Sequence, residues 1–235
     1  MLGFIDMNVE DNVKQRYKGE EGKKYHETKR FIPDSAYPWV ARLRVSKIAP
    51  YVTEDDRVLE YGVGFGWNLA LLKCERRLGF DLSEFIEPVV RKHGIEFVHD
   101  PAIIPVESID VVVCHHMLEH TIDPPEVLRE IGRILRPRGK LLLFVPYEKE
   151  KRYHRYDPKE PNHHLYSWNV QTLGNLVEDT GFNVMEGKLG RFGYDRFAAV
   201  WAARLRLGEF GFRFLRKAIH LVKPGFEVQI VAERS

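Results

Sequence analysis

Short apolar runs along this chain alternate with stretches in which apolar residues recur at helical spacing. The runs at 57–61, 77–81, 96–99, 109–114, 140–145, 182–186 and 227–232 predict seven strands. Between them the spacing predicts a helix opening at Asn68 and another over 84–93, closed by Gly94. Two more are predicted over 124–135 and 170–180, the latter capped by Asn169 and closed by Gly181. Within 124–135, Val127, Leu128, Ile131, Ile134 and Leu135 share one face, as in a helix laid on a sheet. The run at 140–145 is almost wholly apolar, which predicts a central strand covered on both faces. Alternation of this kind predicts an α/β fold with a doubly wound, mostly parallel sheet.

Either side of the alternation the pattern changes. Residues 8–30 are highly charged and 36–48 favour helix after Pro33 and Asp34, which predicts an N-terminal helical cap over 1–54. A core over 55–190, a helical insertion over 191–226 and a last strand over 227–235 complete one domain, with no internal repeat or low-complexity tract. The stretch 197–222 mixes Trp201, Leu205, Phe210 and Phe214 with Arg204, Arg206, Arg213 and Lys217. It reads first as a helical pair packed on the sheet edge. The second reading is a cover or membrane-surface patch, weakened by the interruptions at Gly208 and Gly211.

Composition narrows the class. The 235 residues are 44% hydrophobic and 12% aromatic, enough for a sizeable core in one α/β domain. With 36 basic and 34 acidic side chains the formal charge is +2, which gives no support for a polyanion partner such as DNA. The two cysteines, Cys74 and Cys114, fall in a predicted helix and a predicted buried strand, so a disulfide framework is not expected. Acidic residues at 6, 10 and 11 and the lack of a long apolar run predict a cytoplasmic protein with no transmembrane segment.

The chemistry concentrates after the first predicted strand. Glu60-Tyr61-Gly62-Val63-Gly64-Phe65-Gly66 places three glycines at alternate positions, one residue short of the dinucleotide spacing. A carboxylate two residues before the first glycine would repel pyrophosphate but suits an ammonium. This run resembles the first motif of the class I S-adenosylmethionine-dependent methyltransferases, and the similarity extends over about residues 55–190. The resemblance implies a Rossmann-like, seven-stranded sheet with an antiparallel last strand, and S-adenosylmethionine as cofactor. It further implies that Glu60, Gly62, Gly64 and Gly66 hold the amino-acid end. Asp81, which opens Leu82-Ser83-Glu84 at the end of the second strand, would accept the ribose hydroxyls, and Asp100 would take the adenine amino group. Here the chain departs from the family, because Pro101 has no N–H to offer the adenine ring. Leu82, next to Asp81, and Cys114 and His115, at the end of the fourth strand, are further cofactor contacts in this reading.

The acceptor side is drawn more loosely. A sulfonium methyl is already activated, so the enzyme chiefly aligns a nucleophile and excludes water, with a base for a hydroxyl or ammonium proton. His116 is the first candidate base and His164 the second; Tyr147 is a substrate contact, and His164 and Tyr166 face the acceptor from a loop over 152–168. His116, Glu119 and His120 also stand at metal-ligand spacing on a helix, as in relatives that methylate quinone-pathway phenols with a divalent ion. Leu118-Glu119-His120 is equally common in members without metal, and no metal is assigned. Asp123-Pro124-Pro125-Glu126 reads as a helix start and not as a base-flipping motif. The expected function is methylation of a small molecule, on oxygen ahead of nitrogen. The basic, aromatic stretch 149–156 keeps a protein or RNA methyltransferase as an alternative, and a noncatalytic S-adenosylmethionine-binding module is another.

Overall fold

The structure is a computed structural model that describes residues 13–30, 32–148, 155–158, 160 and 162–235, with side chains from 28 to 30 left aside. Most of the 149–156 stretch and the front of the 152–168 loop lie outside the described residues. Seven strands form one sheet: β1 (Arg57–Tyr61), β2 (Arg76–Phe80), β3 (Glu96–Val98), β4 (Ile109–His115), β5 (Leu135–Pro146), β6 (Phe182–Arg191) and β7 (Phe226–Arg234). Their order is β3-β2-β1-β4-β5-β7-β6, with β7 alone antiparallel to its neighbours β5 and β6. This is the predicted doubly wound sheet with an antiparallel last strand.

The helices are α1 (Gly19–Arg30), α2 (Tyr37–Ile48), α3 (Glu87–Lys92), α4 (Pro124–Ile134), α5 (Val170–Asp179), α6 (Asp195–Arg204) and α7 (Gly208–Val222). The start of α4 follows its sequence: the Asp123 side chain accepts from the Glu126 N–H at 2.9 Å, and Pro124 fills the first turn, where no N–H is needed. Its Leu128, Ile131 and Ile134 are fully buried with Leu173 and Val177 of α5 on one face of the sheet. Truncating any of them to alanine would cost roughly 2 to 5 kcal/mol. The opposite face buries Ile48 of α2, Val90 of α3 and Leu69. A third cluster joins Ala36 and Val40 to Ala198, Ala199, Ala202 and Phe212, so small residues on α6 let the cap and the insertion pack closely.

One predicted element does not form. The stretch after Gly66 makes turns instead of a helix from Asn68: Leu69 and Ala70 both donate to Gly66 O, and Leu72 donates to Leu69 O. Arg77 Nη1 donates to the carbonyls of Leu69 (3.3 Å) and Ala70 (2.8 Å), the acceptors a further helical turn would require. β5, β6 and β7 run at least three residues longer than their apolar runs. β5 begins at Leu135, opposite Ile109, and shifts register before Val111 pairs with Lys140. β6 continues to Arg191 because β7 pairs along its whole length.

The topology fixes where ligands can bind. From β1 the chain passes to β2 and β3 on one side, then crosses to β4 on the other. The carboxyl ends of β1 and β4 therefore diverge into the crevice typical of such sheets.

Candidate active site

At the carboxyl end of β1 the glycine loop turns under its own constraints. Gly62 has φ +86°, and a Cβ there would lie 2.7 Å from Met117 Cγ, so only glycine fits. Both Gly62 and Val63 donate to Phe80 O, at 2.8 and 2.9 Å, pinning the bend to β2. Gly64, at φ +50°, donates its N–H to Asp81 Oδ2 at 3.0 Å, and Ser83 N–H donates to Oδ1 at 3.0 Å. A carboxylate can accept more than one hydrogen bond on each oxygen, which is what a vicinal diol needs from it. Glu60 is buried at the loop's entrance, where it accepts a hydrogen bond from the Asn68 amide.

Two cavities meet above this loop. The first, about 650 Å³, is lined by Phe80, Asp81, Leu82, Asp100 and Ala102 on the sheet side and by Tyr17 and His26 from the N-terminal segment. The second, about 810 Å³, is lined by Glu60, Val63, Asn68, His115, Tyr147 and His164. Tyr25, Gly62, His116 and His120 wall both. His26 Nε2 lies 4.0 Å from Asp81 Oδ1, which places α1 across the first cavity as a cap. The donor set fits S-adenosylmethionine: a carboxylate at the end of β2 for the ribose, another at the end of β1 for the ammonium, and a glycine cradle between them.

The predicted cofactor residues do not all face these spaces. Asp100 lines the first cavity, and its Oδ1 accepts from Ala102 N–H at 2.9 Å, turning the chain into a short 3-10 segment past Pro101. Cys114 is fully buried in the core and lines neither cavity; burial pushes its thiol well above the ordinary range. His115 faces the second cavity.

His115 and His116 end β4 with stacked rings 4.5 Å apart, and His116 holds a left-handed φ of +53° while its N–H donates to Phe144 O. His115 Nε2 lies 2.9 Å from Arg44 Nη1 and 3.1 Å from Lys47 Nζ. Both are pure donors, so this nitrogen carries the lone pair and its accepting capacity is filled. His116 Nε2 lies 3.2 Å from Glu227 Oε2 of β7, and Glu227 Oε1 accepts from Lys47 at 2.7 Å and from Gln229 at 2.8 Å. Burial lowers His116 to about 4, with the charges of Arg44 and Lys47 acting in the same sense against the Glu227 hydrogen bond. Burial would raise Glu227, but the His116 hydrogen bond and the Lys47 charge outweigh it and hold the carboxyl at about 2. Burial likewise brings Lys47 down to about 8, with Glu227 opposing. An ionised Glu227 can only accept, so neutral His116 carries its proton on Nε2 and its lone pair on Nδ1.

A second cluster stands opposite. Glu119 Oε1 lies 3.8 Å from His120 Nε2 and 4.0 Å from His164 Nε2. Outer partners hold both rings: Tyr17 Oη is 2.9 Å from His120 Nδ1, and Glu148 Oε1 is 2.8 Å from His164 Nδ1. Leu165 N–H donates to Glu119 O at 2.8 Å and ties the acceptor loop to this cluster. Tyr147 lines the second cavity, but Tyr166 lines neither: its hydroxyl donates to Ile122 O at 2.8 Å and its ring stacks on Trp168. Residues 118–120 form a 3-10 turn, so His116 and Glu119 do not share a helical face.

Sequence reasoning missed Arg44, Lys47, Phe192 and Glu227. The ring of Phe192 lies 4.1 Å from that of His116 and 4.8 Å from Arg44 Cζ. Glu227 did leave a signal, as an acidic residue heading a strand that is otherwise apolar at its buried positions. The other three become site residues only through packing between distant elements.

Comparison with known proteins agrees with this geometry. A family profile described as "Methyltransferase domain" matches residues 35–186. A Mycobacterium tuberculosis protein named "probable S-adenosylmethionine-dependent methyltransferase" is 32% identical over 164 residues, covering 65% of this chain and 59% of its own. The ubiquinone biosynthesis O-methyltransferase of Xanthomonas oryzae pv. oryzae is 37% identical over 102 residues, covering 37% of this chain and 41% of its own. This chain thus spans about three-fifths of the first relative and two-fifths of the second. Among solved structures, the [4+2]-cyclase SpnF superposes with a TM-score of 0.57 at 19% identity, covering 83% of this chain and 80% of that one, which speaks for the fold alone. With the profile covering most of the chain, the protein belongs to the class I S-adenosylmethionine-dependent methyltransferases.

Proposed function

We propose that this protein transfers a methyl group from S-adenosylmethionine to a small-molecule acceptor, on oxygen ahead of nitrogen, and works in the cytoplasm. The observation that carries the reading is His116, a neutral imidazole on the wall shared by both cavities, its Nε2 proton directed to Glu227 and its Nδ1 lone pair available. When bound, the cofactor supplies a methyl carbon already activated by its sulfonium. Asp81 and Asp100 hold it across the first cavity, Gly62 stands at the wall between the cavities, and Glu60 receives its ammonium end. The acceptor occupies the second cavity, where His116 Nδ1 takes its proton and Glu227 stabilises the imidazolium formed. Tyr147 and His164 position the acceptor from the loop side. The O-methylating relative supports oxygen as the acceptor atom over the stretch it shares with this chain.

Calorimetry tests the reading at its base. S-adenosylmethionine or its demethylated product is expected to bind and NAD is not. Asp81→Ala is expected to weaken binding about ten- to a hundredfold, from the loss of a charged acceptor. Preferential NAD binding would overturn the assignment.

A further inference from the structure

Away from both cavities, the insertion between β6 and β7 presents a surface that the methyl-transfer reading does not use. α6 and α7 form a hairpin whose inner sides pack on the cap through Ala198, Ala199, Ala202 and Phe212. The outer sides are apolar as well. On α7, Phe210, Phe214 and Leu221 recur at i, i+4 and i+11 and are 84%, 63% and 72% exposed, opposite the inward Phe212. On α6, Phe197, Trp201 and Leu205 repeat the pattern at i, i+4 and i+8, and Leu207 is exposed in the turn between the helices.

Charge follows the same surface. Residues 195–223 hold seven lysines and arginines against only Asp195 and Glu209, so the remainder of a chain with net charge +2 is net negative. Asp195 is buried between Arg44 and Arg216, and Glu209 is engaged by Arg42 and Arg213. Among the described residues no carboxylate pairs with Arg204, Arg206 or Lys217, and Arg204 lies over the Trp201 ring at 5.8 Å. Exposed aromatics beside aliphatics, flanked by cations with little acid, match the interface of an anionic bilayer. Rings and aliphatic side chains enter the headgroup boundary there, and cations meet phosphates. A second copy fits poorly, because an isologous contact would set this cationic face against itself. Nucleic acid fits poorly too, since Leu205, Leu207, Leu221 and Val222 offer nothing to a base or a phosphate.

We propose that the α6–α7 hairpin is a docking surface for an anionic lipid bilayer, with Trp201, Phe210 and Phe214 inserted at the headgroup level and Arg204, Arg206 and Lys217 on the lipid phosphates. The root of the hairpin, at Arg196 and Lys223, lines the second cavity, so docking sets that cavity beside the membrane surface.

Vesicle flotation tests this on the full chain. Vesicles of one part phosphatidylglycerol to two parts phosphatidylcholine are expected to capture the protein, and high salt is expected to release it; vesicles of phosphatidylcholine alone should capture far less. Replacing both Arg204 and Arg206 with Gln is expected to lower partitioning about twenty-fivefold, at roughly fivefold per cation. The pair Phe210→Ser and Phe214→Ser is expected to lower it at least about tenfold. Both variants should bind S-adenosylmethionine as the wild type does, which separates this proposal from the methyl-transfer reading and controls for folding. Tryptophan fluorescence should shift to the blue on anionic vesicles, and the shift should vanish in Trp201→Phe. No capture by anionic vesicles, capture unchanged in the variants, or tighter binding to an unstructured RNA oligonucleotide would each overturn the proposal.

Discussion

The site holds two clusters built from the same parts, each a pair of imidazoles around a buried glutamate, but set in opposite surroundings. In one, His115, His116 and Glu227 are backed by Arg44 and Lys47. In the other, His120, His164 and Glu119 are backed by Tyr17 and a second carboxylate, Glu148. Each set brings its ligand-type atoms within 4.8 Å. The neighbours decide the chemistry. Burial and the two cations at the first cluster keep His116 unprotonated before reaction, and Glu227 is the group that opposes them when a proton arrives. At the second, both Nδ1 atoms have outer partners and the two Nε2 atoms converge on Glu119 Oε1, with a phenol and a carboxylate beside the rings where Arg44 and Lys47 stand beside the first.

The largest effect that separates the two clusters lies in turnover. With a verified acceptor, His116→Ala is expected to lower kcat about a hundred- to ten-thousandfold with cofactor affinity unchanged, whereas His164→Ala should stay within about tenfold. The reverse order, read from transfer of labelled methyl groups, would move the base to the second cluster.

A smaller effect should appear in stability against pH. His116 is held at about 4 in the folded protein against an ordinary 6.5, so below 6.5 the unfolded chain takes up a proton that the fold refuses. Stability should therefore be fully present above pH 6.5 and fall as pH drops towards 4, by roughly 3 kcal/mol from this group. Glu227, held at about 2 against 4.5, adds a further loss between those values. Urea unfolding across this range, repeated on His116→Gln, checks it: the variant should lose that share of the slope, and an unchanged slope would show that His116 titrates normally.

The smallest expected effect is none. EDTA is expected to leave turnover as it was, since the proposed proton path runs through His116 and Glu227. Inhibition by the chelator, with Glu119→Gln as damaging as His116→Ala, would give the second cluster a metal role.

The fold was largely legible because parallel strands covered on both faces must be apolar, and caps such as Asp123 and Asn169 are local chemistry. The missing helix after Asn68 was not legible, since the carbonyls of its turns are met by Arg77, a residue of the next strand, and not by a pattern within the segment. In the site, Asp81 and Gly62 could be found from spacing because loop and strand end are sequence neighbours of the motif. Glu227 and Lys47 could not, because Glu227 reaches His116 from β7, 111 residues away, and Lys47 reaches His115 and Glu227 from α2. Tyr166 was expected at the acceptor because it lies in the polar, aromatic-bearing loop after the fifth predicted strand, and its hydrogen bond to Ile122 is a contact that loop composition does not reveal.

β7 lies between β5 and β6 and carries Glu227 at its head. It is also the latest of the seven strands to leave the ribosome. The glycine loop and Asp81 lie in segments synthesised long before it, so the cofactor's platform can assemble first. Until residues 226–234 slot in, β5 and β6 have no common partner and His116 has no carboxylate to fix its tautomer. Vectorial synthesis thus orders the site, with cofactor binding able to precede competence for proton transfer.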